Sequence, residues 1–411
     1  MSPEALMRRA LELAERGRGL TSPNPLVGAV VVQNGDIVGE GFHARAGGPH
    51  AEVVALEAAG ARARGATLYV TLEPCNHVGR TPPCVSAIFT AGVTRVVAAA
   101  VDPNPFVPGG GAAALRECGV AVVTGVLERE AVAQNRVFFT AMRERRPHVT
   151  LKAGMTADGK IADVHGVARW ITGETARAEA HRQRSEVDAI VAGITTVLRD
   201  DPALTVRRGE PWPREPWRVV LDAEARTPPG ARMITGATPS RALITVGERA
   251  PAARVEALRA AGAEVVPLPL RDGRVAVDAV LATLFDREVR AVLLEGGGEV
   301  HASFLDAGLV DHVTLYVAPL LLGGRAAPGV VGGAGRELKS AIRLGAMTVR
   351  AVGDNLLIEA DVEKVADDSL PDRRAPEALR RRPDGKVEKV ADDSLPDRRA
   401  PEALRRRPDG T

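Results

Sequence analysis

Cysteine is scarce in this chain, with three in 411 residues, at positions 75, 84 and 118. So sparse and odd-numbered a set gives no disulfide framework and fits a reducing compartment, so the protein is expected in the cytoplasm. Aromatic residues make up only 3%, too little for the stacking platforms that bind single-stranded nucleic acid. An excess of one charge is lacking too. The 54 Lys and Arg residues against 52 Asp and Glu leave +2, without the basic surplus of a dedicated nucleic-acid binder. No apolar run reaches 18 residues, so no membrane span is expected. The opening stretch MSPEALMRRALELAERGRG is charged throughout and lacks the apolar centre of a secretory signal. Its Leu6, Ala10, Leu13 and Ala14 recur at helical spacing, which predicts an amphipathic first helix.

What is present is enough for two or three domains with ordinary cores, since 45% of residues are hydrophobic. Val27–Val32, the turn Asn34-Gly35-Asp36 and Ile37–Phe42 read as a hairpin. Helices are expected over Ala51–Ala61 and Cys84–Ala91, and strands over Thr67–Leu72, Arg95–Val101 and Val120–Thr124. This alternation predicts an α/β sandwich, with Cys118 in its core. The charged run Arg143–Pro147 marks a boundary, giving a first domain over 1–146. A second α/β domain, 147–361, is predicted from strands at His148–Ala153, Ala189–Ala192, Arg218–Asp222, Ala242–Val246, Ala291–Glu295 and His312–Ala318. Helical patterns such as Thr175–Arg184 and Ala252–Ala261 lie between them, and strands near Met347–Val352 and Asn355–Val362 close it. Residues 362–411 differ. Val362–Gly385 repeats unchanged as Val387–Gly410, with six acidic and six basic residues in each 24-residue copy. Such a segment buries little apolar surface and is expected to be a flexible or partly helical tail.

The chemistry-bearing stretch is His50-Ala51-Glu52, then Pro74-Cys75, then Cys84. One imidazole and two thiolates leave the fourth tetrahedral position of a zinc ion open, as in a catalytic rather than a structural site. Glu52, two residues from the histidine ligand, suits proton transfer from water to substrate and leaving ammonia. His50 and Cys84 each stand where a helix is predicted to start, and helix N-termini favour thiolates. The usual deaminase spacer between the cysteines is two residues; here it is eight.

With that long spacer, Thr71–Cys84 (TLEPCNHVGRTPPC) resembles the family of bifunctional riboflavin-biosynthesis deaminase/reductases. Thr21-Ser22-Pro23-Asn24-Pro25 with Val27-Gly28, and Asp102-Pro103-Asn104-Pro105, match two further loops of that family. The resemblance implies a cytidine-deaminase-like α/β/α sandwich in which Asn24, His43, His77, Arg80, Asp102 and Asn104 line a pyrimidine or ribose-phosphate pocket. Read from the residues alone, Asn24 offers a donor and an acceptor to a base edge. Asn24 and Asn104 also suit turns beside proline.

In the second domain Glu295-Gly296-Gly297-Gly298 lies between a strand and a helical pattern, where bare backbone approaches phosphate, though a plain tight turn accounts for it as well. Lys152–Ala162 with Trp170-Ile171-Thr172, and Gly193–Pro202, resemble the reductase half of the same family, so the likeness spans nearly all of 1–360. It implies a dihydrofolate-reductase-like α/β domain whose NADPH site is lined by Gly154, Trp170, Thr196, Asp200, Asp222, Gly297 and Gly298. Substrate contacts are implied from Lys152, Ala168, Arg184, Leu204, Arg207 and Glu295. Ala168 stands where the family's G-x-S-x-W stretch carries serine. Arg184 and Arg207 suit a forked clamp on a 5-phosphate, and equally a solvated surface. An acid–base pair among Lys152, Asp200 and Glu295 suits ribose opening.

Together these expectations describe a cytoplasmic enzyme using zinc and NADPH. It would act on a small phosphorylated pyrimidine and form a homo-oligomer, with no nucleic-acid or membrane partner. Two rivals stand beside it. A base deaminase acting on tRNA shares H-x-E, and a structural-zinc protein would need a fourth ligand, for which His77 is conceivable.

Overall fold

Two sheets organise the chain. The computed structural model describes residues 1–77, 82–104, 110–210, 212–236 and 241–364. Helix α1 (Pro3–Glu15) is capped by the Ser2 side chain, which accepts the Ala5 N–H. Strands β1 (Gly28–Gln33), β2 (Asp36–Phe42), β3 (Thr67–Leu72), β4 (Arg95–Ala100) and β5 (Ala121–Thr124) form the first sheet, in the order β2-β1-β3-β4-β5. The β1–β2 and β1–β3 pairs are antiparallel, while β3–β4 and β4–β5 are parallel.

Strand alternation divides the apolar residues between two faces. Ala29 and Val31 join helices α2 (Ala51–Ala59), α3 (Cys84–Thr90) and α4 (Gly110–Glu117) in one core. Val30 and Val32 face α1, α5 (Glu128–Gln134) and α6 (Arg136–Glu144) in another. The result is a three-layer α/β/α sandwich. A Cβ on Gly41 of β2 would lie 2.5 Å from Ala51 O and Ala55 N, so glycine there lets α2 press onto the sheet.

Strand β6 (His148–Thr156) opens the second sheet. Then come α7 (Glu174–Arg184), β7 (Ala189–Gly193), α8 (Ile194–Asp200), β8 (Trp217–Leu221), α9 (Arg232–Thr235), β9 (Ala242–Gly247), α10 (Ala252–Ala260) and β10 (Glu264–Leu268). A small hairpin of β11 (Leu270–Arg271) and β12 (Arg274–Val275) precedes α11 (Val277–Asp286), β13 (Ala291–Leu294), α12 (Gly298–Asp306), β14 (His312–Ala318), β15 (Thr348–Val352) and β16 (Asn355–Asp361). The order is β10-β9-β8-β7-β13-β6-β14-β16-β15. Every neighbour pair is parallel up to β14, and the last two pairs are antiparallel. Parallel strands covered on both faces read as the unbroken apolar runs seen in the sequence.

The charged run near the expected boundary is partly internal. Arg146 is buried, and its guanidinium donates to both Asp311 oxygens at 2.6 and 2.7 Å, while Asp311 also accepts the Val149 N–H at 2.8 Å. Met1–Glu363, holding both sheets, forms one compact unit. Cys118 departs from expectation: it is half-buried in the turn after α4 and joins no core cluster. The duplicated segment from residue 365 onward lies outside the described residues. Among the described residues no helix is long and apolar enough to cross a membrane.

Candidate active sites

His50 occupies the position just before α2, and Cys84 is the first residue of α3. Cys75 follows β3 by three residues. His50 Nδ1 lies 3.1 Å from Cys84 Sγ and 3.5 Å from Cys75 Sγ, and one ligand atom from each of the three residues falls within 4.8 Å of the others. The Cys84 backbone N–H also donates to Cys75 Sγ at 3.3 Å.

The two thiols compete for one negative charge. The facing Cys84 thiol and then His50 push Cys75 down to about 4, against its burial. The hydrogen bond with Cys75 and burial push Cys84 up. A divalent cation between them would let both ionise, so the donor set fits zinc. Glu52 is 3% exposed, and burial raises its pKa. It lies beside this cluster and is not needed to complete it.

His50, Cys75 and Glu52 line a cavity of about 300 Å³, shared by Asn24, His43, His77, Asp102 and Asn104. His43 Nδ1 is 2.9 Å from Pro49 O, so that nitrogen carries the proton and donates. His43 Nε2 therefore accepts from Asn24 Nδ2 at 3.1 Å, and the Asn24 amide oxygen is left for a ligand. Burial lowers the His43 pKa and keeps the ring neutral. Asp102 Oδ1 accepts the Asn104 N–H at 2.9 Å, which shapes that loop. Arg80 lies outside the described residues.

The second constellation gathers at the carboxyl ends of β6, β7, β8 and β13, where ligands bind in open parallel sheets. Arg184 Nε and Nη2 donate to Glu295 at 2.8 and 2.6 Å, and Nη1 donates to Thr205 O at 3.0 Å. All three donor nitrogens of this fork are thus engaged by protein acceptors, and its partner Glu295 is another of the residues implied to contact substrate. Burial alone would raise Glu295, but the charges of Arg184 and Lys152 outweigh it and hold the carboxyl down to about 2. Burial lowers Lys152, whose Nζ lies 5.7 Å from the centre of the Tyr316 ring.

Gly297 faces open space at the start of α12. A Cβ on Gly298 would sit 2.8 Å from Gly329 O, and one on Gly154 would meet Thr172 at 3.0 Å. Glycines between strand and helix, with backbone N–H groups at a helix start, fit the phosphates of a dinucleotide. Trp170 is 67% exposed with the Arg177 guanidinium 4.5 Å over its ring. Thr196 and Asp200 lie on α8, and the Asp200 carbonyl accepts from Arg169. Ala168 is half-buried in the loop before Trp170.

Three further residues of the implied sites are placed as follows. Asp222 is fully buried, and its Oδ2 accepts from Thr227 N and Oγ1. The Leu204 side chain packs in the core with Ile190, Ala192 and Leu293, which leaves its backbone for any contact. Arg207 is exposed, on a neighbouring cavity with Arg208 and Arg232.

Comparison with known proteins agrees with both halves. Residues 1–100 match the cytidine and deoxycytidylate deaminase zinc-binding region, and residues 147–358 match the RibD C-terminal domain. The riboflavin biosynthesis protein RibD of Actinobacillus pleuropneumoniae is 42% identical over 355 residues, covering 86% of this chain and 93% of that protein. The chain belongs to the RibD family. Acinetobacter baumannii RibD, form 1, superposes with a TM-score of 0.79 at 36% identity, over 88% of this chain and 99% of its own. A Thermotoga maritima diaminohydroxyphosphoribosylaminopyrimidine deaminase/5-amino-6-(5-phosphoribosylamino)uracil reductase gives 0.75 at 36%, over 88% and 98%. The first sheet is thus the cytidine-deaminase-like half of a RibD protein, and the second is its dihydrofolate-reductase-like half.

Glu73 has a structural role that its sequence context does not announce. It is buried, and its carboxylate accepts the N–H groups of Asp102 and Ala112 at 3.1 and 2.8 Å, tying the 102–104 loop to β3. Phe138, Met142, Glu288 and Arg290 also line the first cavity, and no local motif marks them.

Proposed function

We infer that this protein is a bifunctional enzyme of riboflavin biosynthesis. It deaminates 2,5-diamino-6-(5-phosphoribosylamino)pyrimidin-4(3H)-one and then reduces the ribosyl group to ribityl. The observation that carries this is one chain holding the ligand atoms of His50, Cys75 and Cys84 together beside buried Glu52, and, on a second sheet, half-buried Lys152 within electrostatic reach of the Arg184–Glu295 pair. When bound, zinc supplies Lewis-acid activation of water and NADPH supplies the reducing equivalent.

The remaining chemistry belongs to the chain. Glu52 takes a proton from water as its oxygen adds to C2 of the pyrimidine. It returns that proton to the departing amino group, which leaves as ammonia. The Asn24 amide oxygen, oriented by His43, fixes the base edge. In the second site the charges of Arg184 and Lys152 favour the ionised form of Glu295. Lys152, with its pKa brought down by burial, gives its proton to the ribose ring oxygen as the ring opens. Arg184 holds Glu295 in place.

The domains run over 1–146 and 147–361, and the duplicated sequence follows the second. Two of the three unpaired cysteines serve as metal ligands, which favours a reducing, cytoplasmic setting. Exposed Leu338, Met347, Val349 and Leu356, on the closing strands and the loop before them, support a homo-oligomer through that edge. The acidic side chains of the first cavity favour a small substrate over nucleic acid. Ammonia release from the free phosphorylated pyrimidine, with none from tRNA, tests the reading. Glu52→Gln should abolish that release with zinc retained, and release by the variant at the parent rate would overturn it.

A further inference from the structure

The first cavity is not closed by the first sheet alone. Glu288 and Arg290, which line it, stand on the loop between α11 and β13, at the amino-terminal edge of the second sheet. Asp188 fixes this junction. Its Oδ2 accepts the Ser22 hydroxyl at 2.7 Å and the backbone N–H groups of Arg290 and Ala291 at 2.7 and 3.0 Å. Ser22 lies two residues before Asn24, so Arg290 and the substrate loop share one anchor.

The charge of the lining is one-sided. Glu52, Glu73, Asp102 and Glu288 are acidic, and Arg290 is the one Lys or Arg among the described lining residues. A phosphate monoester brings roughly 1.5–2 further negative charges at neutral pH. Such a group needs a permanent cation to enter here. The Arg290 guanidinium lies 4.1 Å over the Phe285 ring, and its Nη1 donates to Phe285 O and Val289 O at 2.8 and 3.1 Å. These contacts hold the group rigid and use Nη1; Nε is buried from solvent without a partner, which leaves Nη2 to meet a ligand. A planar guanidinium with donors to spare matches phosphate geometry.

We propose that Arg290 binds the phosphate of the deaminase substrate, so that the reductase half supplies a specificity-determining residue to the deaminase site. This rests on the cavity being the deaminase site, as inferred above. Strand β13 then serves both reactions, with Arg290 before its first residue and Glu295 after its last.

The test uses the full-length, zinc-loaded protein and two compounds: the phosphorylated diaminopyrimidinone ribosylamine and the same compound without its phosphate. KM for ammonia release is measured on both with one preparation, so that any unfolded fraction cancels in the ratio. Arg290→Gln should raise KM about tenfold to a hundredfold for the phosphorylated compound and leave the other unmoved. Arg290→Lys, which keeps the charge, should recover part of the loss. An equal KM change on both compounds, or none on either, would overturn the proposal. Should the parent protein release ammonia from neither compound, the reading of the cavity itself fails and the proposal with it.

Discussion

Replacing Arg184 with Met separates two roles for that residue. A solvated phosphate clamp would cost only substrate affinity. The observed pair is internal, however, with side-chain exposures of 16% for Arg184 and 9% for Glu295 and two hydrogen bonds between them. Met keeps most of the length and removes the charge, leaving the Glu295 carboxylate buried with Lys152 as its remaining cation. Breaking a buried pair from one side costs about 3–5 kcal/mol. At roughly 2–4 °C per kcal/mol for a domain of this size, the reductase transition should fall by roughly 6–20 °C in scanning calorimetry. The double variant R184M/E295L replaces both charges with apolar groups of similar volume, which is often neutral. It should melt near the parent, although reduction is lost with Glu295. Additivity of the two single losses, or a parent-like melting point for R184M alone, would refute the reasoning.

Two further perturbations address other parts of the molecule. Burial pushes His148 down to about 4, whereas an unfolded histidine titrates near 6.5. Between about pH 6.5 and pH 4 the unfolded chain takes up a proton that the folded one refuses. Stability from this residue is therefore complete above 6.5 and falls by about 1.4 kcal/mol per pH unit on acidification, ending near pH 4. The melting point of His148→Gln should fall less steeply than the parent's over that range; parallel curves would contradict it. Gly298→Ala places a methyl against backbone atoms, Gly329 O at 2.8 Å and Gly332 N at 2.9 Å. Displacing that loop costs about 1–3 kcal/mol, so KM for NADPH should rise while ammonia release continues. An unchanged KM would show that the 297–298 backbone does not meet the cofactor.

Local features were legible in the sequence, and distant pairings were not. The zinc ligands could be placed because H-x-E and Cys84 sit at helix starts that Pro82-Pro83 and the apolar run after His50 already announce, while Cys75 follows the apolar strand β3. Strands β3 and β14 match their predicted spans residue for residue, because strands buried on both faces read as continuous apolar runs. Helix α5, with the sequence EREAVAQ, buries only Ala131 and gave no apolar stripe to find. Arg184 was recognised by type, but its partner lies 111 residues away, and periodicity carries no information on such a pair. The Ser22–Asp188 contact spans 166 residues, so the second sheet's share of the first cavity could be seen only once the chain was folded. Leu204 has a left-handed backbone with φ of 49° that turns its side chain inward, a conformation no leucine advertises.

The central claim is that two independent active sites act in sequence on one small molecule. The most direct test follows NADPH oxidation by Glu52→Gln, supplied in turn with the diamino compound and with the already deaminated one. The account predicts no oxidation with the first and oxidation at the parent rate with the second. Equal oxidation with both compounds, or oxidation with neither, would contradict it.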